Sequence, residues 1–108
     1  MYSLKPSEYF HRQCWVGATN TDALGWASSD DRERLGFDRL MWGSDYPHME
    51  SKWPHTRETL KGLMKGIPEN EVKAMVSGNA VSCYSIDTSK LESTAERIGP
   101  RVAEIVTS

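Results

Sequence analysis

No stretch of this sequence approaches the roughly 20 consecutive apolar residues of a membrane span. The N-terminus carries no apolar core of a signal peptide. Neither sign of charge dominates: 13 Lys and Arg stand against 15 Asp and Glu, for a formal net charge of −2. That balance excludes the basic footprint of a nucleic-acid binder and the polybasic patch of a membrane-surface protein. Cysteine is scarce. Cys14 and Cys83 are the two in the chain, and nothing in their spacing matches a metal site. Both sit in apolar sequence, so two buried free thiols are the expectation. There are no repeats, low-complexity segments or linkers. A soluble cytoplasmic protein is what these absences leave.

What is present fits one ordinary domain or a portion of a larger one. A chain of 108 residues can bury roughly 65% of its unfolded surface, enough for a modest core. Four tryptophans are many for this length. Three of them (Trp15, Trp42 and Trp53) fall in or near predicted strands and one loop.

The most informative stretch runs from Leu40 to His48 and on to Trp53-Pro54-His55. It opens as a short apolar run and stops at an acid, a Pro and a His. A short apolar run bounded by turn residues reads as a buried strand. Pro47 cannot donate to a ladder and holds Tyr46 extended, so the strand is predicted to end near Asp45. Alternation then puts Met41, Gly43 and Asp45 on one face and Leu40, Trp42 and Ser44 on the other. An acid at the carboxyl end of a buried parallel strand stands where α/β proteins place their chemistry.

Around this stretch the chain divides readily. Residues 1–11 form a lead-in with one helical turn at Pro6 to Phe10. Gln13 to Thr19 is the first strand candidate. Asn20-Thr21-Asp22 closes it, and residues 22–28 form a weak helix or a loop. Ser29-Asp30-Asp31 caps a short helix that Gly36 ends. Its run Asp30 to Arg34 reads as a solvated face. The second strand covers 39–44. Two strands separated by helix signals predict a β-α-β unit with parallel strands.

A loop at 45–55 leads to a helix at about 55–66. There Leu60, Leu63, Met64 and Ile67 make one apolar stripe. Pro68 with Glu69 and Glu71 opens another helix, whose apolar face (Val72, Met75, Val76, Ala80, Cys83, Tyr84) is interrupted at Gly78-Asn79. Asn79 is expected to bond backbone groups at that break. Asp87-Thr88-Ser89 caps a further helix with Leu91, Ala95 and Ile98 inward, and residues 101–107 add a last turn or two. Two strands are too few for a self-sufficient parallel sheet, which points to part of a larger fold.

Asp45 reads from its position either as a turn residue before Pro47 or as a site residue. His48 reads as a solvated loop histidine or as the lining of a substrate mouth. Trp53 and His55 read as loop packing.

Five stretches together resemble the amidohydrolase-related metal-dependent hydrolases, the group that includes aminocarboxymuconate-semialdehyde decarboxylase. They are Lys5 to Phe10, Leu40 to His48, Trp53-Pro54, Gly78-Asn79-Ala80 with Tyr84, and Arg97 to Pro100. The run Trp42-Gly43-Ser44-Asp45-Tyr46-Pro47-His48 is the most specific. Val81-Ser82-Cys83 departs from the family pattern, at positions that concern packing.

The resemblance implies α/β architecture. Residues 1–108 are then the C-terminal part of a (β/α)8 TIM barrel, its last two parallel strands and closing helices. It implies a divalent metal, zinc first, with Asp45 as both ligand and catalytic acid or base. The family's remaining ligands, a His-x-His on the first strand and histidines on the fifth and sixth, have no match in His11, His48 or His55. The ligand set is therefore incomplete in this chain. The function implied is a metal-dependent hydrolase acting on a small organic substrate through metal-activated water. A decarboxylase of the same scaffold is the alternative, as is a truncated chain inactive alone. The partners implied are a small-molecule substrate and either the missing N-terminal barrel portion or a second copy, with no nucleic acid and no membrane.

Overall fold

A computed structural model describes residues 2–18 and 29–106. Helix α1 spans Pro6–Gln13, two turns where the lead-in predicts one. Pro6 occupies the first turn, where its missing N–H costs nothing. The Glu8 carboxylate reaches back to accept the Lys5 amide at 2.6 Å. Tyr9 stacks edge-on with Tyr2, and the Arg12 guanidinium lies 5.0 Å from the Tyr9 ring centre.

Strand β1 is Val16–Ala18 and strand β2 is Leu40–Trp42. They pair in parallel, with Val16 opposite Leu40, Gly17 opposite Met41 and Ala18 opposite Trp42. Helix α2, Ser29–Leu35, lies between them in sequence, giving the predicted β-α-β order. The expected helix or loop at 22–28, with its cap at 20–22, lies outside the described residues. Both strands are shorter than the sequence predicts.

Gly36 ends α2 with φ +80°. A Cβ there would lie 2.5 Å from Asp38 Oδ1, so glycine answers both to the backbone and to the space. A 3-10 turn, Phe37–Arg39, then launches β2. The Arg39 guanidinium sits 4.7 Å from the Trp15 ring centre, an aromatic face in place of an acceptor for its buried Nε.

Helix α3 is Thr56–Leu63, followed by a turn that Gly66 closes at φ +77°. The predicted stripe is the core. Leu60, Leu63, Met64 and Ile67 are buried together with Leu40, Val72, Met75 and Ile105. Val16, Leu35, Phe37 and Trp42 pack half-buried against them.

The next helix is not interrupted at Gly78-Asn79. α4 (Glu69–Lys73) runs into a π-helical turn (Ala74–Gly78) and straight into α5 (Asn79–Tyr84). A glycine within a packed helix is absorbed without a break, because packing outweighs its propensity cost of about 1 kcal/mol. The π turn packs on β2 and on the 3-10 turn before it.

After Tyr84 the chain turns at Ser85, φ +51°. Asp87 caps a 3-10 turn, Thr88–Lys90, by accepting from the Ser89 amide at 3.2 Å and the Ser89 hydroxyl at 2.6 Å. Helix α6 is Glu92–Ile98 and helix α7 is Val102–Ile105. Leu91 and Ile98, expected inward, are 50% and 58% exposed. α6 makes its closest packing with the local 3-10 turn, so its apolar residues have no core to enter. Ile105 is the C-terminal residue that reaches the core.

Two further expectations are corrected. Cys14 is exposed and Cys83 half-buried, so neither thiol is a core residue. Cys14 follows directly on α1, which has no buried residue of its own. Within the run read as a solvated face, Arg32 is half-buried. Its Nε stands 3.2 Å from Glu71 Oε2 and ties α2 to α4.

Candidate functional site

β2 ends at Trp42, three residues before the acid that the sequence places at its end. Gly43 and Ser44 leave the sheet, and Asp45 adopts φ +56°. That left-handed backbone is one that Asp tolerates better than most side chains. Strict alternation therefore stops at Trp42, and the shared face of Met41, Gly43 and Asp45 is not formed as predicted. Asp45 is instead the first residue of a tight turn.

The turn brings the two predicted site residues together. The His48 amide donates to the Asp45 carbonyl at 2.7 Å. His48 Nδ1 lies 3.2 Å from Asp45 Oδ2. Asp45 keeps about a third of its side chain in solvent and His48 more than half. The Glu50 amide also approaches His48 Nδ1, at 3.4 Å. One ring nitrogen either donates or accepts. With a proton on Nδ1 the ring bonds the Asp45 carboxylate. Without it, Nδ1 accepts from the Glu50 amide.

The rest of the loop holds itself with local bonds. Ser44 Oγ accepts from the Tyr46 amide at 3.3 Å and Ser51 Oγ from the Trp53 amide at 3.2 Å. The Tyr46 and Trp53 rings meet at 5.5 Å between centres, tilted by 60°. Trp53 is thus loop packing, as read, yet both rings remain largely exposed. His55 precedes α3 without capping it by its side chain, and its carbonyl accepts from the Thr59 amide and hydroxyl, each at 3.0 Å.

The three histidines do not converge. His11 lies in α1 beside Gly36, near Asp38. Among the described residues, no three His, Cys, Asp or Glu side chains gather where they could hold a metal ion. Asp45 and His48 offer two donors at most. A catalytic metal takes three or more protein ligands, so the donor set present here does not hold such an ion by itself.

The displaced carboxyls lie elsewhere. Glu104 is held below its ordinary pKa, first because it accepts the Arg101 amide at 3.0 Å and also by the charge of Arg57. Arg57 Nη1 donates to the same Glu104 oxygen at 2.6 Å, and Nη2 donates to the Ile98 carbonyl at 3.0 Å. This clasp fastens α7 to α3. Asp87 is held below its ordinary value by the Ser89 hydroxyl, then by the Ser89 amide. Sequence spacing carries no signal for the Arg57 to Glu104 contact, because the partners are 47 positions apart.

Asn79 bonds backbone groups as expected, though in another segment. Its Nδ2 donates to the carbonyls of Phe37 and Leu40, both at 2.7 Å. Those carbonyls belong to the turn and strand that lead to Asp45.

Among the described residues, no helix is long and apolar enough to cross a membrane. No curated protein matches the chain, and no solved structure does. The amidohydrolase family profile matches residues 5–86. Arg97 to Pro100, part of the resemblance read from the sequence, lies past that span. The match takes in both parallel strands, the Asp45 turn and the helix that carries Asn79, and on it the chain belongs to the amidohydrolase family.

Proposed function

We propose that this chain is the closing part of an amidohydrolase barrel and supplies Asp45 to a metal-dependent hydrolase site. In this reading β1 and β2 are the last two parallel strands of a (β/α)8 barrel. The observation that carries it is the place of Asp45. Within the family-matched span, it turns out of the carboxyl end of a parallel strand and faces His48 at 3.2 Å. Barrel enzymes carry their chemistry at that end of their strands.

Asp45 acts as a ligand and as a proton acceptor, and His48 orients its carboxylate or meets the substrate at the mouth. The substrate is a small organic ester, lactone, amide or acid. The ion is divalent, and zinc is the first to test, because carboxylate and imidazole donors suit it. The missing donors come from the segment that carries the rest of the barrel. We assign the chain to the cytoplasm, since unpaired thiols at Cys14 and Cys83 suit a reducing compartment.

The test supplies that segment. A polypeptide bearing the remaining barrel strands is co-expressed with this chain, and the complex is assayed for bound metal and for hydrolysis of a panel of small esters, lactones and amides. Stoichiometric metal and turnover in the complex, both lost in Asp45→Asn, support the reading. Tight zinc binding by this chain as a monomer overturns it, as does turnover unaffected by Asp45→Asn.

A further inference from the structure

We propose that Asn79 is a positioning residue for Asp45, acting through the entry to β2. The proposal rests on the reading of Asp45 as a site residue. Asn79 is the buried polar side chain of the described core, only 7% exposed. Its amide nitrogen has two hydrogens, and both are used: one goes to the Phe37 carbonyl and one to the Leu40 carbonyl, each at 2.7 Å. The two acceptors flank the 3-10 turn, one at its first residue and one at the first residue of β2. A single side chain thus spans the whole turn that launches the strand.

β2 needs such a tie. Its ladder to β1 is three residues long, and a ladder this short is a weak lock on where the strand points. Asp45 follows three residues after the strand ends, so a rotation at Leu40 is carried straight to its carboxylate. The π turn Ala74–Gly78 packs on β2 and the 3-10 turn and delivers Asn79 at its end. Such turns occur often beside functional sites. An apolar side chain at 79 would fill the space and strand both carbonyls. A carboxylate would set negative charge against them.

The experiment compares Asn79→Ala with Leu63→Ala in the full chain by NMR, at a temperature where circular dichroism shows both folded. Leu63 shares the core with Leu40 but lies on α3, whose main packing is on α7, so its truncation lowers stability without removing either hydrogen bond of Asn79. In Asn79→Ala, exchange of the ladder-bonded amides of β1 and β2 is expected to speed up by about tenfold. The cross-peaks between Asp45 and His48 weaken as well. In Leu63→Ala those cross-peaks stay. Asn79→Ser keeps one donor and gives an intermediate response. It also carries the same comparison if Asn79→Ala does not fold. Unchanged Asp45 and His48 signals in a folded Asn79 variant overturn the proposal and leave Asn79 a packing residue. The measurement reads conformation rather than turnover. Its failure is therefore distinct from failure of the Asp45 reading, which the activity of Asp45→Asn decides.

Discussion

Asp45 and His48 are joined twice across a single turn, backbone to backbone at 2.7 Å and side chain to side chain at 3.2 Å. The backbone bond sets the turn, and the turn sets the carboxylate against the imidazole. Asp45 holds this geometry with φ at +56°.

Stability and function should therefore separate at position 45. Asn accepts left-handed backbone as readily as Asp, so Asp45→Asn is expected to melt within about 0.5 kcal/mol of the parent. Asp45→Val, with a branched Cβ in that region, loses about 1–2 kcal/mol. In the assembled enzyme both fall in activity by at least ~100-fold, the usual scale for a lost acid or base. Thermal melts and initial rates check the two halves.

Leu60 and Met64 lie one turn apart at the centre of the core, 1% and 0% exposed. Truncating either to Ala removes buried methylenes and leaves a cavity that packed neighbours only partly fill. The expected loss is about 2–5 kcal/mol each. Urea denaturation measures it, and a loss under about 1 kcal/mol would show that this stripe is not the core.

Ser85 ends α5 in the left-handed conformation that glycine adopts without strain. Ser85→Gly is expected to stabilise by about 0.5–1 kcal/mol and raise the melting temperature by a few degrees. Ser85→Val should shift it the other way.

Acid should loosen the C-terminal clasp. Glu104 has a lowered pKa in the folded chain, chiefly through the Arg101 amide. A depressed carboxylate pKa adds stability that is present in full above the unfolded value. It is lost as pH falls through the folded one. The window is thus the acid side of the ordinary glutamate range, below pH ~4.3. Amide exchange in 99–106 should accelerate there. Glu104→Gln removes that pH dependence, and Arg57→Ala loosens the same segment at neutral pH. A C-terminal segment equally protected at acid and neutral pH speaks against the clasp.

Several elements were readable from local pattern. The spacing of Leu60, Leu63, Met64 and Ile67 identified the core stripe, because helical periodicity alone decides which side chains share a face. Gly36 marked the end of α2. The apolar run at Leu40 located β2, and the two strands proved parallel, as a helical crossover between them requires. The run from Trp42 to His48 pointed to the right family. Other expectations failed for want of long-range information, among them the extent of the strands, the helix break at Gly78, the burial of Cys14, the solvated face at Arg32 and the inward face of Leu91 and Ile98.

The sequence by itself determined the order of elements, the apolar stripe, the family and the identity of the acid and histidine to watch. The stripe depends on neighbours within a few positions, and the family on short stretches in order along the chain. Only the tertiary structure decided that β2 stops at Trp42, that Asp45 turns left-handed against His48, and that Asn79 reaches back to Leu40. The reach of Asn79 depends on which carbonyls and apolar surfaces meet across 39 positions of chain, and local spacing carries no record of such meetings.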